Sequence, residues 1–176
     1  MSANTPDDIL VDRILKGETA SFRILVERYQ NLVFTIAFRI TNNREEAEEV
    51  AQDVFMKVYR NLAGFKGESK FSSWLFRIAH NTALNKIKGR KKEMQLTERH
   101  NTSEVQNEAD GVFTKEYLDK AINMLEPEEA TVISLFYLSE QSLDEIAQVL
   151  NIDANAAKVR LHRARKKLRE KLELIG

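Results

Sequence analysis

The sequence predicts an all-α protein of two small helical domains joined by a flexible linker. Large apolar residues recur at intervals of three and four along most of the 176 residues, which is the spacing of a buried helix face. Only 6 Gly and 2 Pro are present, too few for a protein built from many short strands and tight turns. One long polar stretch without this spacing divides the predicted helices into two sets.

The first domain, residues 1–92, begins with a short predicted helix. Asp7 or Asp8, directly after Pro6, is of the type that caps a helix start, because its carboxylate accepts free backbone amides. Gly17 is expected to end this helix, since glycine readily adopts the left-handed backbone found there.

Three longer helices follow in the first domain. Apolar spacing predicts the second helix over residues 22–40 and the third over residues 47–62. Residues 41–43 are Thr-Asn-Asn, which we expect to break the second helix and cap the third. Glycines bracket a loop at residues 64–67, and a fourth helix is predicted over residues 72–88.

Residues 93–112 predict an acidic, flexible linker. They are rich in Glu, Gln, Asn, Thr and Ser and carry few large apolar residues, so they cannot bury enough surface to order themselves. Apolar spacing then resumes, and residues 113–176 form the second domain.

The second domain contains a predicted helix-turn-helix. Ser142 and Glu145 form a capping-box pattern, in which each side chain satisfies a backbone amide at the start of a helix. That helix is expected to end at Leu150, with the turn at residues 151–152 and Asp153 as cap of the next helix. A short helix, a tight turn and a second helix are the parts that enter the major groove of DNA.

The second helix of this motif has two chemically distinct faces. The face expected to pack inward is apolar: Ala157, Leu161, Ala164, Leu168 and Leu172. The opposite face is mostly basic, and arginine can bind guanine, asparagine adenine, and an exposed valine the methyl group of thymine. An ordinary helical pair with a soluble face is the alternative. The residues expected to contact duplex DNA are Asn155, Ala156, Lys158, Val159, Arg160, Arg163, Lys166 and Lys167.

Charge is strongly patterned although the net charge is zero. Residues 65–92 hold 8 basic and 1 acidic side chains, and residues 158–171 again hold 8 and 1. Two separated basic segments indicate two contacts with a polyanion, whereas one such segment alone is usually a solvated face. The first segment also carries Phe71 and Trp74, and aromatic rings beside basic groups suit single-stranded nucleic acid unless the rings belong to the core.

Three motifs of the chain resemble those of the extracytoplasmic-function sigma factors. They are Ala47-Glu-Glu-Val-Ala-Gln-Asp-Val-Phe55, the stretch from Phe65 to Asn85, and Lys158-Val-Arg-Leu-His-Arg-Ala-Arg165. They occur in the family's order and spacing, and the resemblance covers residues 20–92 and 117–172. Such a protein brings RNA polymerase to promoters and helps to open them.

The resemblance implies a role for each domain. The first would bind the polymerase clamp and would recognise and melt the minus ten element. The second would bind the minus thirty-five element as duplex and touch the polymerase flap, and the linker would follow the RNA exit path. An anti-sigma factor is a common further partner in the family.

The resemblance also assigns residues by position. Contacts with the clamp fall on Glu49, Gln52, Asp53 and Met56. Contacts with the separated strand fall on a loop, whose pocket would hold a flipped base, and on the helix after it: Phe65, Lys66, Ser69, Lys70, Phe71, Trp74, Arg77, Asn81, Asn85 and Lys88.

The chain departs from the family in the recognition helix. The family often has Thr and Val where this chain has Ala156 and Ala157, and a hydroxyl residue where it has Val159. Fewer hydroxyls remove possible phosphate contacts and leave the preferred promoter sequence open.

Other classes of protein fit less well. The chain has no Cys, no apolar run of the roughly 20 residues that span a membrane, and no signal-peptide pattern, so we expect a cytoplasmic protein. The three His are far apart in the sequence, and it shows no nucleophile–base pair. We therefore expect neither an enzyme, a metal site nor a cofactor. The main rival is a self-standing helix-turn-helix regulator with an N-terminal effector or dimerisation domain. A structural adaptor would leave both basic segments unexplained.

Overall fold

The computed structural model describes residues 5–96 and 115–175, apart from the side chains at 92–96 and 115. Every regular element in these residues is helical, which confirms the predicted all-α fold. The eight α-helices are α1 (Asp7–Leu15), α2 (Ala20–Thr41), α3 (Arg44–Asn61), α4 (Phe71–Leu96), α5 (Lys115–Asn123), α6 (Pro127–Tyr137), α7 (Leu143–Leu150) and α8 (Ala154–Ile175). None of them is both long and apolar enough to cross a bilayer.

The break between α2 and α3 forms as predicted. Asn42 ends α2 in the left-handed region, with φ 49, a conformation that asparagine tolerates better than most residues. The side chain of Asn43 then accepts the Glu46 amide at 2.9 Å and caps α3. The first domain therefore owes its central helical hairpin to two adjacent asparagines.

The predicted capping of α1 by Asp7 or Asp8 is wrong. The helix begins at Asp7 itself, Pro6 occupies the cap position, and no side chain caps it. The Asp7 carboxylate instead accepts hydrogen bonds from the Arg28 guanidinium and the Tyr29 hydroxyl of α2. A charged guanidinium is a stronger partner than a backbone amide, so this acid ties α1 to α2. Burial and the bond to Asp7 both raise the pKa of Tyr29.

Helix α4 is longer than predicted. It continues to Leu96 and so passes the predicted start of the linker at residue 93. Glu93 and Gln95 are good helix formers, and no Gly or Pro stands between Arg90 and Leu96 to stop the helix. The rest of the predicted linker, residues 97–112, lies outside the described residues.

Helices α1 to α4 pack around one apolar core. Fully buried members come from every helix and include Leu10, Leu25, Ile36, Val54 and Phe76. Helix α3 packs against both α2 and α4 with the apolar face that its spacing predicted, which leaves its acidic face outward.

The helix-turn-helix forms as predicted. Ser142 and Glu145 make both bonds of the capping box, at 2.7 and 3.3 Å. Asn151 turns the chain with φ 55 after α7, and Asp153 accepts the Ala156 amide at 2.8 Å to cap α8. Helices α5 and α6 also pack against α8.

Candidate nucleic-acid interface

The faces of α8 are those that the sequence predicts. Ala157, Leu161 and Ala164 are buried against α6 and α7. Val159 lies on the outer side, with 41% of its surface exposed.

Two of the basic side chains on α8 are paired with acids of α6. Arg160 lies 2.9 Å from Glu128, and Lys167 lies 2.6 Å from Glu129. The hydrogen bond that Lys167 donates to the Glu129 carboxylate raises the pKa of Lys167. Sequence reasoning missed both pairs, since the partners are some thirty positions apart. A phosphate would have to compete with Glu128 for Arg160.

The other basic side chains of this face have no such partner. Lys158, Arg163 and Lys166 are exposed, and no ion pair to an acid occurs for them within the described part of the chain. They are therefore the free cations of the outer face, and Arg163 points away from the buried stripe one turn beyond Val159.

Arg165 has a structural contact instead. Its guanidinium lies 4.8 Å from the ring centre of Phe136 and 5.5 Å from that of Tyr137, and its Nε donates to the Tyr137 hydroxyl at 2.8 Å. Cation–π contacts of this kind hold α8 against α6. Arg165 thus fixes the helix that carries the DNA-facing residues.

Helix α4 presents a polar and basic row. Arg77, Asn81, Asn85 and Lys88 are all exposed, and their spacing of three or four places them on one side of the helix. The structure therefore brings together these four residues that the resemblance assigned to the separated strand.

The aromatic residues before α4 form a cluster. Phe65 lies 5.8 Å from Phe71 and 5.2 Å from Trp74, measured between ring centres, and Phe71 also packs on Tyr29. Phe71 is only 4% exposed, so its ring is not available to stack on a base, and its expected contact with the strand needs correction. Its burial in the core makes it a support for the loop.

Two clefts flank this loop. One of about 390 Å³ lies toward α1 and is lined by Asp8, Tyr29, Ser69 and other loop residues. The other, of about 420 Å³, lies toward the second domain and is lined by Lys66, Trp74, Arg77 and Gln148 among others. Both offer aromatic and polar walls, the combination that accepts an unstacked base.

The outer face of α3 is acidic with an apolar centre. Gln52 and Asp53 are exposed, and Met56 and Tyr59 are 50% and 48% exposed. Tyr59 was not predicted for this surface, although its position three residues after Met56 could have indicated it. Glu49 is engaged by Lys86 at 2.6 Å, and this hydrogen bond raises the pKa of Lys86.

The second domain carries an apolar groove that sequence reasoning did not predict. Its volume is about 420 Å³. Arg165 and Arg169 line the groove. The apolar stripe of α8 extends into it, and this stripe is the feature of the sequence from which the groove could have been predicted. The apolar lining is Leu118, Ile122, Ile133, Leu138, Leu168 and Leu172.

Within residues 5–96 and 115–175, no three His, Asp or Glu side chains are grouped so that they could hold a metal ion.

Two segments of the chain match known protein families. Residues 25–93 match Sigma-70 region 2, and residues 115–168 match Sigma-70, region 4. The first match covers most of α2, all of α3, the loop and most of α4, and the second covers α5 to α7, most of α8 and the groove apart from Arg169 and Leu172.

The chain matches relatives along most of its own length and of theirs. The chain is 32% identical to the ECF RNA polymerase sigma factor SigW of Bacillus subtilis, over 92% of this chain and 94% of that protein. It is 31% identical to the ECF RNA polymerase sigma-E factor of Escherichia coli K12, over 98% and 97%.

Two solved structures share the fold. The sigma factor RpoE from Bartonella quintana, in complex with the anti-sigma factor NepR, matches with a TM-score of 0.73 at 24% identity, over 86% of this chain and 96% of that one. CnrH, in complex with the cytosolic domain of CnrY, matches with a TM-score of 0.69 at 23% identity, over 99% and 100%.

Proposed function

Because this chain belongs to the ECF RNA polymerase sigma factors, we propose that its two domains divide the work of promoter recognition. The first domain, α1 to α4, holds core polymerase through α3 and the separated minus ten strand through α4 and its loop. The second domain, α5 to α8, binds the minus thirty-five element as duplex. We place the protein in the cytoplasm, where the polymerase works.

One observation carries the proposal: the first domain has two chemically opposite surfaces. The row on α4 is basic and polar, as a nucleic acid requires, whereas α3 exposes acids beside Met56 and Tyr59. A self-standing regulator needs neither surface on its effector domain. A factor that connects polymerase to a single strand needs both.

The polymerase contact uses Gln52, Asp53 and Met56, and Tyr59, which is exposed beside them, belongs to the same proposed surface. Acidic groups speed the encounter with a basic partner, and methionine and tyrosine fill an apolar contact. Glu49 contributes less to this polymerase contact, because its carboxylate already accepts a hydrogen bond from Lys86.

The apolar groove of the second domain is the site we propose for the polymerase flap. Its edge carries Arg165 and Arg169, while its floor is apolar, so an amphipathic helix with acidic flanks fits it. An anti-sigma factor is a second candidate partner, as the Bartonella quintana sigma factor has one.

Duplex recognition depends on the outer face of α8. Arg163 is exposed and unpaired within the described residues, so it is available to a guanine, and Val159 is available to a thymine methyl. Lys158 and Lys166 bind phosphates, which position the helix without reading sequence.

In complex with core polymerase, the full chain carrying Arg163→Ala should bind its minus thirty-five element more weakly than wild type. The expected loss is about 1–3 kcal/mol, the usual cost of losing a bidentate contact with guanine. Fluorescence anisotropy on a labelled promoter fragment measures the loss. The control is Lys171→Ala, which removes the same charge from the end of α8.

The effect must depend on DNA sequence. If Arg163→Ala weakens binding equally to a fragment with a scrambled element, Arg163 binds phosphate and the base assignment is wrong. Unaltered affinity after Arg160 and Arg163 are both changed to alanine would remove α8 from the interface.

A further inference from the structure

One flank of α8 carries two cations that are already paired within the second domain. Arg160 and Lys167 are seven residues apart, close to two helical turns, so they lie on the same side of α8. This side adjoins the buried stripe of Ala157, Leu161 and Ala164, against which α6 packs. Both cations therefore reach the first turn of α6.

The first turn of α6 supplies the two acids. Glu128 Oε2 lies 2.9 Å from Arg160 Nη1, and Glu129 Oε1 lies 2.6 Å from Lys167 Nζ. Acidic side chains are stabilised in the first turn of a helix, because the helix dipole is positive there. The acids are thus held by their own helix where the two pairs require them.

The two pairs differ in how firmly they are held. The Glu129 side chain is 18% exposed, and its Oε2 is buried with no hydrogen-bond partner within the described residues. Removing Lys167 would leave this largely desolvated carboxylate without its compensating charge, which is strongly unfavourable. The Glu128 side chain is 64% exposed, so its pair with Arg160 is the weaker of the two.

The pairing reduces the number of cations that α8 can offer to DNA. Of the five basic residues predicted to contact the duplex, only Lys158, Arg163 and Lys166 have no ion pair within the described chain. Each contact with a phosphate of B-DNA releases counterions and makes the slope of log affinity against log salt steeper by about 0.9. Duplex binding by α8 should therefore be weaker and less salt-dependent than the 8 basic and 1 acidic side chains of residues 158–171 suggest.

We propose that Glu128 and Glu129 act as internal counter-ions of the recognition helix. They hold Arg160 and Lys167 away from DNA phosphates, because carboxylate and phosphate oxygens bind guanidinium and ammonium groups in the same way. The inference rests on the proposed function, since α8 is the helix assigned to the minus thirty-five element.

The consequence is a recognition helix that depends on reading bases. Phosphate contacts hold a protein on DNA of any sequence, whereas base contacts distinguish one sequence from another. With two of its cations neutralised, α8 binds mainly where Arg163 and Val159 find their bases. The chain is thereby released from DNA of unrelated sequence.

The test removes the two negative charges and keeps the size of both side chains. The full chain carrying Glu128→Gln and Glu129→Gln is compared with wild type on a short duplex of scrambled sequence. Fluorescence anisotropy at salt concentrations between about 50 and 200 mM gives the affinity and its salt slope. The matched control is Glu116→Gln with Glu173→Gln, which makes the same change of net charge at exposed sites of α5 and the last turn of α8.

We expect the salt slope of the variant to be steeper than that of wild type by about two, since two more cations then contact phosphates. At about 50 mM salt the variant should bind the scrambled duplex about tenfold more tightly. This gain should nearly vanish at about 200 mM, because a slope difference of about 1.8 over a fourfold change in salt corresponds to about twelvefold. The control should keep the wild-type slope.

Circular dichroism checks that the variant keeps its fold, because both acids also stabilise the start of α6. Should the double variant lose helical content, Glu128→Gln alone is the second variant, since Glu128 is exposed. Its slope should be steeper than that of wild type by about one, as only Arg160 is released.

Equal slopes and affinities for variant and wild type would overturn the proposal. So would a gain in affinity that the control reproduces, because net charge alone would then explain it. Failure of the proposed function gives a different result: wild type with core polymerase would bind its minus thirty-five element no better than the scrambled duplex, whatever the slopes of the variants.

Discussion

A chain that carries Gln52→Ala and Asp53→Lys is expected to lose core polymerase while keeping its fold. Both side chains are exposed on α3, and surface changes usually alter the free energy of unfolding by within about 0.5 kcal/mol. Placing a cation against a basic partner, by contrast, should cost about 2 kcal/mol or more, a loss of affinity of about thirtyfold or greater. Transcription from a cognate promoter should fall to the level of core polymerase alone.

The measurement is competition binding to core polymerase, with circular dichroism as the check on folding. Gln30→Ala with Glu27→Lys is the control, because it makes the same change of charge on the exposed side of α2 and in addition removes only the exposed ion pair of Glu27 with Arg23. A double variant that binds core polymerase as wild type does would refute the role of α3 and favour a self-standing regulator.

The second large effect is expected at Asn81. Its side chain is exposed in the row on α4, so Asn81→Ala removes a strand contact without opening a cavity. Losing a bidentate hydrogen-bonded contact between an amide and a base costs about 1–3 kcal/mol, and the loss falls on the melted state alone. Polymerase binding should persist while permanganate reactivity of thymines in the bubble falls sharply.

Asn31→Ala, the same change on an exposed site of α2, should leave the bubble intact. Trp74→Ala is a poorer test, because Trp74 packs on Phe65 and Phe71 and its loss could cost roughly 3–5 kcal/mol of stability. Thymine reactivity at the wild-type level in the Asn81→Ala complex would exclude that residue from melting.

Whether a feature could be predicted from the sequence depends on how far apart along the chain its contacting residues lie. The capping box of Ser142 and Glu145 and the asparagine break before α3 are local, so a few neighbouring residues determine them. The two faces of α8 also follow from spacing alone. These features are enough to place the helix-turn-helix and the start of α3.

Contacts between distant parts of the chain were not predictable in this way. Asp7 had two possible roles, a local cap or an ion pair with Arg28, and only the packing of α1 on α2 decides between them. Likewise, Phe71 looks like a stacking platform in sequence, but Tyr29 and Phe65 enclose it in the fold. The contacts of Arg160 with Glu128 and of Gln141 with Ser73 join residues that no periodic pattern links.

The most direct test of the central claim is transcription in vitro from genomic DNA fragments, with purified core polymerase and this chain. We predict discrete start sites that appear only when the chain is added, each with reactive thymines just upstream and a common element about 25 base pairs further upstream. If the chain binds duplex DNA but adds no start site to core polymerase, it is a regulator that acts alone, and the account given for its first domain is wrong.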